Sequence, residues 1–135
     1  MGEPGTIRLE LPWPPSVNHY YVHTRKGQTF IGPEGVKFLR IVVTACMEGD
    51  IKPITGKIDM TLECWPPDRR KRDLDNLLKA LMDALQRGGC MADDCQVKHR
   101  EETMNDFTES KIGRIAVTLK RWAVPQCIQE RLAGL

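Results

Sequence analysis

The chain has no apolar run long enough to cross a membrane. Its most hydrophobic stretch, Ile41 to Met47, is closed by Arg40 and Glu48, well short of the roughly 18 residues a spanning helix needs. The opening Met1-Gly2-Glu3-Pro4-Gly5 lacks the basic patch and apolar stretch of a secretory leader. The five cysteines (Cys46, Cys64, Cys90, Cys95 and Cys127) include no CxxC pair. An odd set without paired spacing argues against a disulfide framework and fits reduced thiols, so the expected compartment is the cytoplasm. Large charge excess is missing too: 20 Lys and Arg stand against 18 Asp and Glu, a formal net charge of +2. Any argument for a polyanionic partner must therefore rest on local clustering. Internal repeats and low-complexity tracts are absent. What is present, 41% hydrophobic and 28% charged residues, is the composition of a packed chain, and 135 residues suffice for one core rather than two.

Patterning supplies the elements. Thr6 to Leu11 alternates Ile7, Leu9 and Leu11 with Arg8 and Glu10, the period of a strand with one buried face, and Pro12-Trp13-Pro14-Pro15 should end it. Tyr20-Tyr21-Val22-His23, a basic turn at Arg25-Lys26-Gly27 and Phe30-Ile31 suggest a small hairpin. From Pro33 to about residue 48, apolar residues at spacings of three and four, with Pro early and Gly49 late, predict a helix. Ile58, Met60, Leu62 and Cys64 mark a second strand, stopped by Pro66-Pro67. Leu74, Leu77, Leu78, Leu81, Met82 and Leu85 form the stripe of an amphipathic helix closed by Gly88-Gly89. A turn at residues 91–94, a polar strand over 96–102 and an alternating strand over 112–119 follow, and the tail after Trp122 is compatible with a short helix. The expected fold is α/β (α+β): one small domain over residues 1–122, with a mixed sheet of about four or five strands packed with two main helices, and an extension over 123–135.

The chemistry concentrates in Asp68-Arg69-Arg70-Lys71-Arg72-Asp73-Leu74-Asp75-Asn76-Leu77-Leu78-Lys79, followed by Asp93-Asp94. With the helix starting near Asp73, the carboxylates of Asp73 and Asp75 fall in its first turn, while Asp75, Asn76, Lys79 and Asp83 lie beside or opposite the leucine stripe. The helix carries the chain about 20 Å along its axis at about 1.5 Å per residue, so Asp94 must travel back to meet the other two. Crowded carboxylates need a counter-charge, and a hard divalent cation such as Mg²⁺ takes one or two of them, keeps waters and binds phosphate. Asp73, Asp75 and Asp94 beside four basic residues therefore suggest a phosphodiester-cleaving site. In it Lys79 neutralises charge on the scissile phosphate, and Arg69, Arg70, Lys71 and Arg72 bind flanking phosphates.

Each part has an ordinary reading taken singly. Asp73 is a good helix N-cap, Asp75 suits the positive end of the helix dipole, Asp75 and Lys79 form a common i,i+4 pair, and a basic loop is usually solvated. Cys90, Cys95 and His99 would make an incomplete zinc set without CxxC spacing. His19 and His23 lack a nearby carboxylate, and Ser16 has no histidine and acid arrangement that would make it a nucleophile. The ordered combination of parts is what favours the nuclease reading.

That combination resembles the RusA family of Holliday junction resolvases. The likeness rests on Leu11-Pro12-Trp13-Pro14-Pro15-Ser16 with Asn18 and Tyr21, on Pro67 through Leu77 with Lys79, and on Asp93-Asp94-Cys95-Gln96-Val97, and spans roughly residues 6–121. It implies a homodimeric, Mg²⁺-dependent endonuclease of bacterial or prophage origin that resolves four-way DNA junctions by paired cuts, with no organic cofactor and no membrane partner. Mn²⁺ is the alternative ion. The family's essential aspartates fall on Asp73, Asp75 and Asp94, its functional lysine on Lys79, and its DNA contacts on Arg72 and Asn76. The competing readings are a non-catalytic junction-binding or architectural protein and a nuclease of flaps, forks or RNA.

Overall fold

The computed structural model describes residues 5–106, 112–123 and 126–134. The strands are β1 (Ile7–Pro12), β2 (Tyr21–His23), β3 (Thr29–Ile31), β4 (Ile58–Trp65), β5 (Val97–Met104) and β6 (Arg114–Arg121). The helices are α1 (Val17–Tyr20), α2 (Pro33–Glu48), α3 (Leu74–Gly88) and α4 (Gln126–Ala133). Four strands form a mixed sheet in the order β1-β6-β4-β5, and β2 and β3 form a separate antiparallel hairpin. β6 pairs antiparallel with both β1 and β4, placing Leu9 opposite Val117 and Val117 opposite Leu62. β4 and β5 run parallel, which requires a crossover connection. Helix α3 supplies it.

The sheet is buried on one face. Ile7, Leu9 and Leu11, Ile58, Met60, Leu62 and Cys64, and Ile115, Val117 and Leu119 alternate with half-buried or exposed neighbours. Against them pack Leu77, Leu78, Leu81 and Leu85 of α3 and Phe38, Val42 and Cys46 of α2, in one hydrophobic core. Helix α3 is capped at its start by Asp73, whose side chain accepts from the Asp75 N–H at 3.0 Å, and at its end by Gly89 with φ +97°. That left-handed cap is open to glycine at little steric cost.

The expected fold is therefore present, with two local differences. Pro12 is the last residue of β1 rather than its terminator, because β1 lies at a sheet edge, where a missing N–H is tolerated. Tyr20, expected in the hairpin, closes the single-turn helix α1, in which Ser16 O accepts from the N–H groups of His19 and Tyr20. One turn is too short to leave a periodic signal. The close crossing of α1 and α2 needs Gly35, where a Cβ would stand 2.5 Å from the Tyr20 carbonyl oxygen. Helix α4 occupies Gln126–Ala133, and residues 127–134 are exposed. No helix among the described residues is long and apolar enough to cross a membrane.

Candidate active site

β4 delivers the chain to Pro66-Pro67, and Asp68 organises the basic loop that follows. Its carboxylate accepts from the Arg70 N–H at 2.9 Å, from the Arg70 guanidinium at 3.2 Å and from Arg72 Nη2 at 2.7 Å. These partners hold its carboxyl below the usual carboxylate range, the Arg70 backbone N–H foremost. Arg72 also lies 5.3 Å from the centroid of the Trp13 ring, and its buried Nε has no hydrogen-bond partner among the described residues. The loop is thus a structured set of cations. Arg70 is highly exposed, whereas Arg72 is wedged between Asp68 and Trp13.

Two cavities flank the start of α3. The smaller, about 250 Å³, is lined by Trp13 to Ser16, Lys71, Arg72, Asp73 and Asn76. Asn76 Oδ1 accepts from the Val17 N–H at 3.2 Å, joining α3 to α1. The larger, about 890 Å³, has Asp75, Lys79 and Asp83 of α3 on one side and Lys98, His99, Arg100 and Glu102 of β5 on another, with Tyr21, Asp94 and the apolar Leu78, Met82 and Val97 also lining it. Lys79 Nζ sits 5.6 Å from the centroid of the Tyr21 ring. Tyr21 meets Tyr20 edge-on at 4.7 Å. The Tyr20 hydroxyl donates to Asp83 Oδ2 at 2.5 Å, and Arg87 Nε donates to the same oxygen at 2.8 Å. Burial pushes the Tyr20 phenol well above its usual range, with the Asp83 hydrogen bond adding to it. Burial, then the Asp83 charge, raises the Tyr21 phenol.

Asp94 reaches the larger cavity through a one-turn 3₁₀ helix, Asp94–Gln96. Asp93 caps that turn, accepting from the Cys95 N–H at 2.9 Å, which holds its carboxyl below the ordinary range. Gln96 ties the turn down from both ends of its amide. Its Oε1 accepts from the N–H groups of Ala92 and Asp93, and its Nε2 donates to the carbonyls of Ile54 and Gly56, each at 2.8–3.0 Å. In the pair Asp93-Asp94 the first residue is therefore structural, and the second is left to line the cavity.

Asp75, Lys79 and Asp94 thus share one cavity, while Asp73 lines its neighbour with Arg72, Lys71 and Asn76. Among the described residues no three His, Cys, Asp or Glu side chains gather closely enough to hold a metal ion. The three aspartates do not form one compact cluster in this chain, because Asp73 is engaged in capping α3 and the Asp94 turn is bonded to Gln86, near the far end of that helix. The donors in the larger cavity are nonetheless hard carboxylate oxygens, the kind a Mg²⁺ ion takes one or two of while keeping water and phosphate in its remaining positions. The zinc alternative has no such support. Cys90 is buried with its Sγ 3.5 Å from that of Cys46, Cys95 is exposed, and His99 Nδ1 bonds Asp59 Oδ1 at 2.8 Å. His19 and His23 bond Ser16 and Thr29, and His19, expected to lack a carboxylate, has Glu34 Oε2 at 3.9 Å because α1 crosses the start of α2.

Patterning groups Asp83 with Asp75 and Lys79 beside the leucine stripe of α3 but gives Tyr21 and the β5 wall no place in the cavity. Asp83 carried a signal, since it follows Lys79 by four residues on the polar side of α3. The β5 residues carried none, because a polar edge strand looks alike wherever it packs.

The family profile described as Endodeoxyribonuclease RusA matches residues 12–120. The crossover junction endodeoxyribonuclease RusA of Shigella sonnei is 41% identical over 119 residues, and that of Escherichia coli K12 is 40% identical over 119. The corresponding protein of Enterobacteria phage 82 is 40% identical over 116. Each alignment covers 84% of this chain and 93% of the relative. With most of its length inside the profile, the chain belongs to the RusA family of endodeoxyribonucleases.

Proposed function

We propose that this protein is a divalent-metal-dependent endonuclease that resolves four-way DNA junctions by paired, symmetric cuts, acting as a homodimer in the cytoplasm. The observation that carries the reading is the larger cavity, which Asp75, Asp94 and Lys79 line together beside the cations of β5; these are the positions on which the resemblance places two of the family's essential aspartates and its functional lysine. Asp75 and Asp94 would hold the ion, Mg²⁺ or alternatively Mn²⁺, with Asp73 adding its charge from the neighbouring cavity. When bound, such an ion lowers the pKa of water and offsets charge on the phosphate. Lys79 presents an ammonium group to the phosphate at the cut. Arg69, Arg70, Lys71, Arg72 and Asn76 hold the flanking backbone, with Asp68 fixing the directions of Arg70 and Arg72. Residues 1–122 carry the activity, and 123–135 are an appended segment. A two-fold assembly matches the substrate, because symmetric resolution needs two equivalent sites on a nearly two-fold junction.

The test is a labelled four-way junction incubated with the protein, with and without Mg²⁺. Paired nicks that need the ion, and that vanish in Asp75→Asn while the junction is still shifted in a gel, are the expected result. A shift without nicks at any metal concentration would make the protein an architectural binder. Equal cleavage of flaps and forks would remove the junction preference.

A further inference from the structure

We infer that Tyr21 is a positioning residue for Lys79, its ring holding the lysine ammonium at the wall of the larger cavity. The inference rests on the proposed role of Lys79 and extends it to a residue outside the acidic and basic motifs.

Lysine is a point charge on a flexible stem of four carbons, with many rotamers to lose when it is fixed. Lys79 is exposed and has no rigid fork to direct it. The partners an isolated helix would offer are Asp75, four residues before, and Asp83, four residues on, and among the described residues Lys79 forms an ion pair with neither. Asp83 Oδ2 already accepts from both the Tyr20 hydroxyl and Arg87 Nε. The ring of Tyr21 lies instead within cation–π range of Lys79 Nζ, at 5.6 Å.

That ring is itself fixed. Tyr21 opens β2 and pairs with Ile31, and its ring abuts fully buried Tyr20 at an interplanar angle of 72°. Arg87, Asp83, Tyr20 and Tyr21 form a chain of contacts from the last turn of α3 back to the side chain of Lys79. The attraction belongs to the face of the ring, so the hydroxyl of Tyr21 is dispensable and the aromatic surface is not. Because misplacing a reacting partner by about 1 Å can cost roughly a hundredfold in rate, partial release of a lysine that keeps its charge should cost on the order of tenfold.

The experiment measures single-turnover junction cleavage, junction affinity and thermal melting for Tyr21→Leu, Tyr21→Phe, Lys79→Ala and the double variant Y21L/K79A. The expected pattern is a roughly tenfold fall in cleavage rate for Tyr21→Leu with affinity unchanged, near-normal rates for Tyr21→Phe, and no further loss when Tyr21→Leu is added to Lys79→Ala. A series of progressively fluorinated phenylalanines at position 21 keeps shape while draining the ring face of charge, so its rates should fall in order with no change in melting. Flat rates across that series, or an equal cost of Tyr21→Leu with and without Lys79, would overturn the inference alone. Wild-type cleavage by Lys79→Ala would overturn the role of the lysine and the inference with it.

Discussion

The backbone N–H of Asp94 donates to Oε1 of Gln86 at 3.2 Å, so the turn that carries one cavity aspartate is tied to the helix that carries another. α3 and the 3₁₀ turn are consecutive in the chain but separated by the reversal at Gly89. Gln86 is a side-chain strut between them. Asp94 is thereby located by an amide rather than by a charge.

Replacing Gln86 by Leu removes that strut and leaves every carboxylate in place. The expected cost in stability is about 1 kcal/mol, that of one ordinary hydrogen bond. Junction cleavage should fall well beyond what so small a destabilisation explains, with junction affinity unchanged. Chemical denaturation and single-turnover cleavage on the same preparation check the two halves.

Asp73 combines a cap and a charge, and two substitutions separate them. Asp73→Asn keeps a side-chain oxygen for the Asp75 N–H, so stability should hold, whereas Asp73→Ala should lose about 1 kcal/mol. If the charge of Asp73 serves cleavage, both variants lose activity by comparable factors. Full activity in Asp73→Asn would leave Asp73 as a cap only.

Arg70 and Arg72 share Asp68 but differ in burial. Arg70→Ala should leave the melting temperature unchanged and reduce the salt dependence of junction binding by about one unit of logarithmic slope per lost phosphate contact. Arg72→Ala should do this and also lower the melting temperature, because its guanidinium packs on Trp13. Titrations at several salt concentrations with parallel melts distinguish them.

Alkaline pH should destabilise the fold. Burial pushes the Cys64 thiol from 9.0 up to about 11 and raises the Tyr20 phenol above its usual 10.0. The native state then holds protons that the unfolded chain releases. This stability is fully present below about pH 9 and is lost as pH rises through 11. Urea melts between pH 8 and 11 should show the decline, and Tyr20→Phe should flatten part of it.

The strands and the two main helices were legible because their information is local. Period two in Ile58–Cys64 and the 3.6-residue stripe of α3 state which face is buried without reference to any partner. Asp73 as a cap was legible for the same reason, being one residue from the first apolar position of its helix. The single turn of α1 was not, since four residues carry no period.

The strands, the two main helices, their buried faces, the kind of chemistry in the Asp68–Lys79 segment and the family likeness of its motifs are written in the order of the residues alone. That Asp73 and Asp75 line different cavities, that Asp94 is fixed by Gln86 and Gln96, and that Tyr21 lies beside Lys79 comes from the folded arrangement. The reason is geometric. Patterning records whether a side chain faces the core, but which polar neighbours it meets depends on strand register, helix crossing and turn geometry set by residues far away in the chain.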